Sequence, residues 1–253
     1  MGLTKEKTMM VAAHRGDSYN YDENTMEAFE MAIREGADMI ETDVRLTKDF
    51  VPVLLHDDTA ARTAYSDRKI CDMTYDEVLA LNAGSRAHPL RAPTLEQLLQ
   101  RLSKTRVLLN LEVKEYLSDT NRARCEQCVE LCVGLIERYD MAGRMVFNSF
   151  DAYVLEYIAK RYPGRYLLHG FYPYDIMKHV SRSPDEYLYC ACLFSDRNPA
   201  HYRYLLARGI EPWIGAGVTK EAHLKECFEL GARLVTTNFP TDCMEKLKRA
   251  GIR

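Results

Sequence analysis

The 253-residue chain contains no apolar run of 18 residues, so nothing in it is long enough to span a bilayer. It also lacks a charge excess of either sign. Its 34 Lys and Arg against 37 Asp and Glu give a formal net charge of −3. The basic footprint that broad nucleic-acid affinity requires is therefore missing. The opening Met-Gly-Leu-Thr-Lys-Glu-Lys has no apolar core of a secretory signal. Position 6 is Glu6, where N-myristoylation of Gly2 would want Ser or Thr. Low-complexity runs and internal repeats are absent. These absences point to a cytoplasmic protein without a membrane span, whose eight cysteines are not expected to form disulfides.

What is present is an ordinary globular composition, 47% apolar, ample for a sizeable core. Apolar runs alternate with amphipathic stretches, the rhythm of an α/β protein with a parallel sheet. Strands are expected at Met9–Ala13, Met39–Val44, Arg106–Lys114, Met145–Phe147, Tyr166–Leu168, Tyr187–Leu193, Glu211–Ile214 and Arg233–Val235, with Val51–Leu55 extending the second. Helices are expected between them, the first over Thr25–Glu35 with Asn24 as cap and Gly36 as stop. Eight such units fit a parallel barrel or an open α/β sheet, and the length suits one domain of barrel type over residues 1–253. The stretch from about 59 to 91 breaks the rhythm. It carries Thr63, Ser66, a short helix near Tyr75–Leu81 and a Gly84-Ser85 turn, and reads as an insertion capping the active-site face. Cys125, Cys128 and Cys132 are spaced three and four apart, one helix face, so packing is preferred over a zinc site. Cys190 and Cys192 share one strand face and are likewise read as packing.

The chemistry lies where the apolar strands end. Met9–Ala13 hands over to His14-Arg15-Gly16, a proton carrier beside a fixed cationic fork. In Asp38–Val44, Glu41 and Asp43 share one strand face, opposite Ile40, Thr42 and Val44. Two such carboxylates need partners: a hard divalent cation, or Arg15 and Lys114 in salt bridges. Val51–Leu55 leads into His56, and the strand from Arg106 carries Glu112 and Lys114 on one face. Two histidines, three carboxylates, an arginine and a lysine thus gather at strand ends, which is where α/β barrels do chemistry.

With these residues the chain resembles the glycerophosphodiester phosphodiesterase family. The matching text is Ala13–Gly16, Glu23-Asn-Thr25, Ala28-Phe29, Gly36–Val44, Leu46–Asp49, Val51–Val53 and His56–Thr59, then Pro93–Glu96, Leu111–Lys114, Ser149–Asp151, Gly231 and Thr236–Pro240. The resemblance implies a (β/α)8 TIM barrel with a small insertion after the second strand. It implies His14 and His56 as acid/base residues, and Glu41, Asp43 and Glu112 as ligands of one divalent ion, Mg2+ or Ca2+. It implies Arg15 and Lys114 as phosphate-binding groups. Asp22 and Phe50 stand where the family has proline and glycine, so the turn after Asp49 is not expected to be a simple Asp-Gly type I′ turn. Trp213 fits the seventh strand, but Ile214-Gly-Ala216 replaces the polar residues usual after it.

The implied reaction is hydrolysis of a small-molecule glycerophosphodiester to glycerol 3-phosphate and an alcohol, through a cyclic phosphate formed by the substrate's own hydroxyl. His14 is favoured as base and His56 as acid. Asn148, Ser149, His169, Tyr172 and Trp213 are expected to line the pocket. Two alternatives stand beside this: phospholipase D-like cleavage of lysophospholipids, and a barrel that only binds a phosphorylated ligand. Oligomeric state is not legible.

Overall fold

The computed structural model describes residues 2–4, 7–64, 66–84 and 87–253. Ser85, expected in a turn, and Glu6 lie outside the described residues, and the side chain of Thr63 is not described. The chain begins with β1 (Met10–His14), α1 (Met26–Glu35), β2 (Met39–Leu46) and β3 (Pro52–Leu54). A small excursion follows: β4 (Thr59–Ala60), α2 (Ala61–Ala64), β5 (Ser66–Lys69) and α3 (Tyr75–Leu79). After α4 (Leu95–Leu102) come β6 (Leu108–Val113), α5 (Arg122–Arg138), β7 (Met145–Asn148), α6 (Ala152–Arg161) and β8 (Leu167–Phe171). The chain closes with β9 (Cys190–Cys192), α7 (Pro199–Leu206), β10 (Glu211–Ile214), α8 (Glu221–Leu230), β11 (Leu234–Thr237) and α9 (Pro240–Arg249).

Eight strands form a closed parallel barrel. β1 pairs with both β2 and β11, and the remaining neighbours run β2–β6–β7–β8–β9–β10–β11. This is the expected (β/α)8 architecture. β3 is an antiparallel flap on β2, with Val44 opposite Leu54. It delivers His56 to the same end of the barrel as His14.

Strand alternation sorts the side chains. Val11, Ala13, Ile40, Val44, Leu109, Leu111 and Phe147 point outward into the layer beneath the helices. Met10, Ala12, Met39, Val146, Cys190, Trp213 and Leu234 fill the barrel interior as a plug. Cys125, Cys128 and Cys132 are buried on α5 against the barrel, and all eight cysteines are free. The inserted segment has a small core of its own around Val53, Leu55, Ala60, Ile70, Met73 and Val78. Its helix α3 starts at a capping box in which Thr74 and Glu77 satisfy each other's backbone N–H groups. No helix among the described residues is long and apolar enough to cross a membrane.

The first helix corrects one expectation. Its cap is Thr25, whose hydroxyl accepts from the Ala28 N–H, and not Asn24. Gly36 stops it in the left-handed region, at φ 90°. Phe50 also adopts a positive φ, 65°, so its turn takes the backbone shape glycine would favour.

Candidate active site

His14 ends β1, and the chain then turns at once. Gly16 has φ 84°, and a Cβ there would meet the Ala28 carbonyl carbon at 2.6 Å. Only glycine lets this loop lie against α1. The turn aims the Arg15 N–H at Glu41 Oε2, 3.1 Å away.

Glu41, Asp43 and Glu112 converge inside the barrel mouth. Each offers an oxygen, and these atoms all lie within 4.8 Å of one another. All three side chains are buried. Arg15 Nε stands 3.3 Å from Asp43 Oδ2, while Lys114 Nζ lies 2.6 Å from Glu112 Oε1 and 3.3 Å from Asp43 Oδ1. Two cations therefore face three carboxylates. Burial, and then the charges of Asp43 and Glu112, push the Glu41 carboxyl well above its usual range. Burial opposes ionisation of Asp43 too, but Lys114 and Arg15 outweigh it and hold that carboxyl down. A buried cluster one positive charge short, with oxygen donors on the two neighbouring strands β2 and β6, fits a hard divalent cation. The salt-bridge and metal readings of these carboxylates are thus not exclusive.

The two histidines have different partners. His14 Nδ1 is 2.5 Å from the side-chain oxygen of Asn238. An amide oxygen only accepts, so Nδ1 carries the ring proton and Nε2, 3.9 Å from Glu41, is left as an acceptor. Burial, reinforced by the neighbouring Arg15 charge, lowers the proton affinity of His14. His56 Nδ1 instead meets the Asp57 carboxylate at 2.7 Å. The His56 carbonyl accepts from Arg45 Nε and Nη2 at 3.0 and 2.8 Å, which fixes the loop.

Further partners hold these groups. Asn24 donates to Asp43 Oδ2 at 3.0 Å and accepts from Thr42 at 2.7 Å. Glu23 accepts from Arg15 and, with both oxygens, from Arg62. Arg62, in the inserted segment, also donates to Asp57 at 2.7 Å. The Tyr116 hydroxyl donates to Glu112 at 3.0 Å. Glu23, Asn24 and Thr42, like Asn238, lie inside the motif text; Arg62 and Tyr116 left no mark in the sequence.

A cavity of about 330 Å³ opens from the carboxylates, lined by His14, Arg15, Glu112, Lys114 and a mixed far wall. That wall contains the stacked rings of Phe150 and Phe171, centroids 3.6 Å apart, with Phe194 5.6 Å from Phe171. Gly215, Ala216 and Gly217 continue it. A second, more open cavity of about 560 Å³ shares His56, Lys114 and Phe150 with the first and runs out past Arg62 and Lys178.

Strand parity decides which expected lining residues reach the cavity. Asn148 and His169 do. Ser149 does not: it follows Asn148, points outward, and donates to the Val113 carbonyl at 3.0 Å. Tyr172 follows inward-facing Phe171 and packs outside against Tyr174, His201 and Tyr204. Trp213 has inward parity but sits too deep. It is fully buried in the barrel plug, bonded to Glu211 and 4.8 Å from the His169 ring. Gly215, two residues on, takes the lining position.

A family model described as the glycerophosphoryl diester phosphodiesterase family matches residues 14–202. The chain belongs to that family. The glycerophosphodiester phosphodiesterase of Caldanaerobacter subterraneus subsp. tengcongensis is 35% identical over 158 residues, which cover 61% of this chain and 63% of that protein. Among solved structures, a putative glycerophosphoryl diester phosphodiesterase from Silicibacter pomeroyi superposes with a TM-score of 0.85 at 22% identity, over 99% of this chain and 97% of the other. A phosphodiesterase from Oleispira antarctica, solved with the product sn-glycerol-3-phosphate, has a TM-score of 0.80 at 21% identity, over 95% of this chain and 97% of its own. At these identities the two structures speak for the barrel fold alone.

Proposed function

We propose that this family member hydrolyses glycerophosphodiesters to glycerol 3-phosphate and an alcohol, with His14 as base and His56 as acid in the first step. The observation that carries the reading is the unequal partnering of the two histidines beside one buried carboxylate cluster. Asn238 leaves the His14 Nε2 lone pair free to take a proton. The Asp57 carboxylate instead orients the His56 ring through Nδ1, leaving Nε2 to serve the leaving-group oxygen. A pure binding barrel has no use for such a pair.

A divalent cation held by Glu41, Asp43 and Glu112, Mg2+ or Ca2+, would supply Lewis acidity toward the phosphoryl group and the attacking hydroxyl. His14 takes the proton of the substrate's 2-hydroxyl as its oxygen bonds to phosphorus. The bond from phosphorus to the leaving alcohol breaks, and His56 protonates that oxygen. The cyclic phosphate then opens with the roles reversed: His56 takes a proton from water and His14 returns one to the departing 2-oxygen. Lys114 and Arg15, both lining the cavity, neutralise charge on the phosphoryl oxygens.

Glycerophosphocholine, glycerophosphoethanolamine, glycerophosphoinositol and a lysophospholipid, each incubated with the chain and Mg2+ or Ca2+, test the reading. Glycerol 3-phosphate is expected from the water-soluble diesters, with cyclic phosphate visible by 31P NMR. H14A and H56A are each expected to lose at least about a hundredfold in turnover while folded. Release from the lysophospholipid alone would move the assignment to the phospholipase D-like reading. Near-normal turnover in either variant would refute the acid/base pair.

A further inference from the structure

The proposed acid/base chemistry leaves one side of the cavity unused. In the barrel register Glu112 pairs with Asn148, and Asn148 with His169. An amide and an imidazole thus follow the last carboxylate around the barrel, on adjacent strands. Both side chains line the cavity and each is only 3% exposed.

Burial drives the proton affinity of His169 down to about 3, so its ring is neutral. The Asn110 side chain meets His169 Nδ1 with its amide nitrogen at 3.2 Å and its oxygen at 3.4 Å, and the nearer nitrogen is taken as the donor. The single ring proton is then on Nε2. Among the described residues, neither His169 Nε2 nor Asn148 Oδ1 has a hydrogen-bond partner. The cavity is therefore offered one N–H donor and one carbonyl acceptor, side by side.

A hydroxyl uses both, accepting from the first and donating to the second. An ionised phosphate oxygen has no proton for Asn148, and a quaternary ammonium satisfies neither group. The rings of Phe150, Phe171 and Phe194 offer only apolar surface, suited to the C–H face of a short polyol. We propose that His169 Nε2 and Asn148 Oδ1 bind the terminal hydroxyl of the glycerol moiety, next to the attacking hydroxyl on the carboxylate side. This makes the two residues determinants of specificity; the inference rests on the glycerophosphodiesterase reading. It disfavours substrates whose terminal hydroxyl is acylated or absent, because both buried groups would lose their partner.

The test uses two p-nitrophenyl diesters with one leaving group, of glycerol 3-phosphate and of propane-1,2-diol 1-phosphate, with the full chain and Mg2+. The wild type is expected to favour the glycerol diester by at least about a hundredfold in kcat/KM. Asn148→Leu and His169→Phe are each expected to lose about tenfold or more on the glycerol diester and far less on the deoxy diester, so that the ratio collapses. His169→Gln keeps an N–H at the end of the side chain and is expected to recover part of it. Equal losses on both substrates in variants that melt like the wild type would overturn the proposal. So would a wild-type preference below about threefold. If a variant does not fold, wild-type binding of glycerol 3-phosphate against propane-1,2-diol 1-phosphate decides: equal affinity refutes the pair, and tighter binding of the glycerol compound supports it. A wild type that makes that binding distinction yet cleaves neither diester refutes the activity and leaves the hydroxyl site standing.

Discussion

Replacing Glu41 by glutamine should strengthen the metal-free fold while removing its response to metal. Glu41 is 3% exposed, and its ligand oxygen lies within 4.8 Å of those of Asp43 and Glu112. At an effective dielectric of about 20, each like-charge pair at that separation costs about 3 kcal/mol. The facing Lys114 and Arg15 offset part of this, and proton uptake by Glu41 relieves more. Burial first, then its two acidic neighbours, raise the folded carboxyl well above its ordinary 4.5. A carboxyl raised on folding destabilises the fold once pH passes the unfolded value, and more so as pH rises toward the folded one. Glutamine is isosteric, uncharged, and can still accept the Arg15 N–H. We expect Glu41→Gln to match the wild type at pH 4 and to gain about 1–2 kcal/mol over it at pH 7.5 in EDTA. At about 2–4 °C per kcal/mol, that is a rise in melting temperature of several degrees. Mg2+ or Ca2+ at about a hundred times its Kd should stabilise the wild type by about 2.7 kcal/mol, and the variant far less. Thermal melts at both pH values, with EDTA and with each metal, measure all of this. A metal-free variant less stable than the wild type at pH 7.5 would refute the charge argument. A variant stabilised by metal as strongly as the wild type would refute the ligand assignment.

Asn238→Leu should lower kcat about three- to tenfold with little change in KM, since it frees the His14 tautomer at the cost of one neutral hydrogen bond; steady-state kinetics check this, and an unchanged kcat would show that Asn238 does not set the tautomer. Tyr116→Phe removes the hydrogen bond to Glu112 and should weaken metal affinity about tenfold in a titration of activity against Mg2+. The inserted segment, residues 59–91, is expected to gate access. Replacing its tip should alter the preference among choline, inositol and glycerol diesters more than the rate on a small aryl diester, and equal loss on both in a folded variant would count against gating. Arg62 should be kept in that experiment, because it holds Asp57 and Glu23. Arg62→Ala alone should slow large and small substrates alike, and a selective effect on large ones would place Arg62 with the gate instead.

The barrel was legible because each strand is an apolar run closed by polar residues, and parallel strands buried on both faces have no other way to read. The same feature exposed the site. His14, Glu41, Asp43, Glu112 and Lys114 are costly groups at strand ends, and the fold brings them together because a barrel sends all its strand ends to one face. Strand parity is legible in the sequence too, and it sorts the lining residues. Once Asn148 faces inward, Ser149 must face outward and Phe150 inward; once His169 does, Phe171 follows it and Tyr172 cannot. Two of the three misplaced lining residues fall to that single rule, which also finds the phenylalanine shelf.

Depth is the part that alternation cannot supply. Trp213 has the right parity and the wrong height, because barrel strands are staggered, and an inward residue belongs to the plug or the mouth according to its register with its neighbours. Trp213 pairs with Leu234 and Cys192, and Gly215 beyond it reaches the cavity. Long-range partners were hidden for a related reason. Asn238 meets His14 from the opposite end of the chain, and Arg62 meets Glu23 from an insertion whose spacing carries no period. Such contacts depend on where loops return to, not on what the strands are made of. The two histidines differ in their partners, an amide 224 positions away for His14 and the carboxylate of the next residue for His56. The sequence names both histidines and its resemblance favours His14 as base; what the fold adds is the partner on each ring, which supports the proposed order.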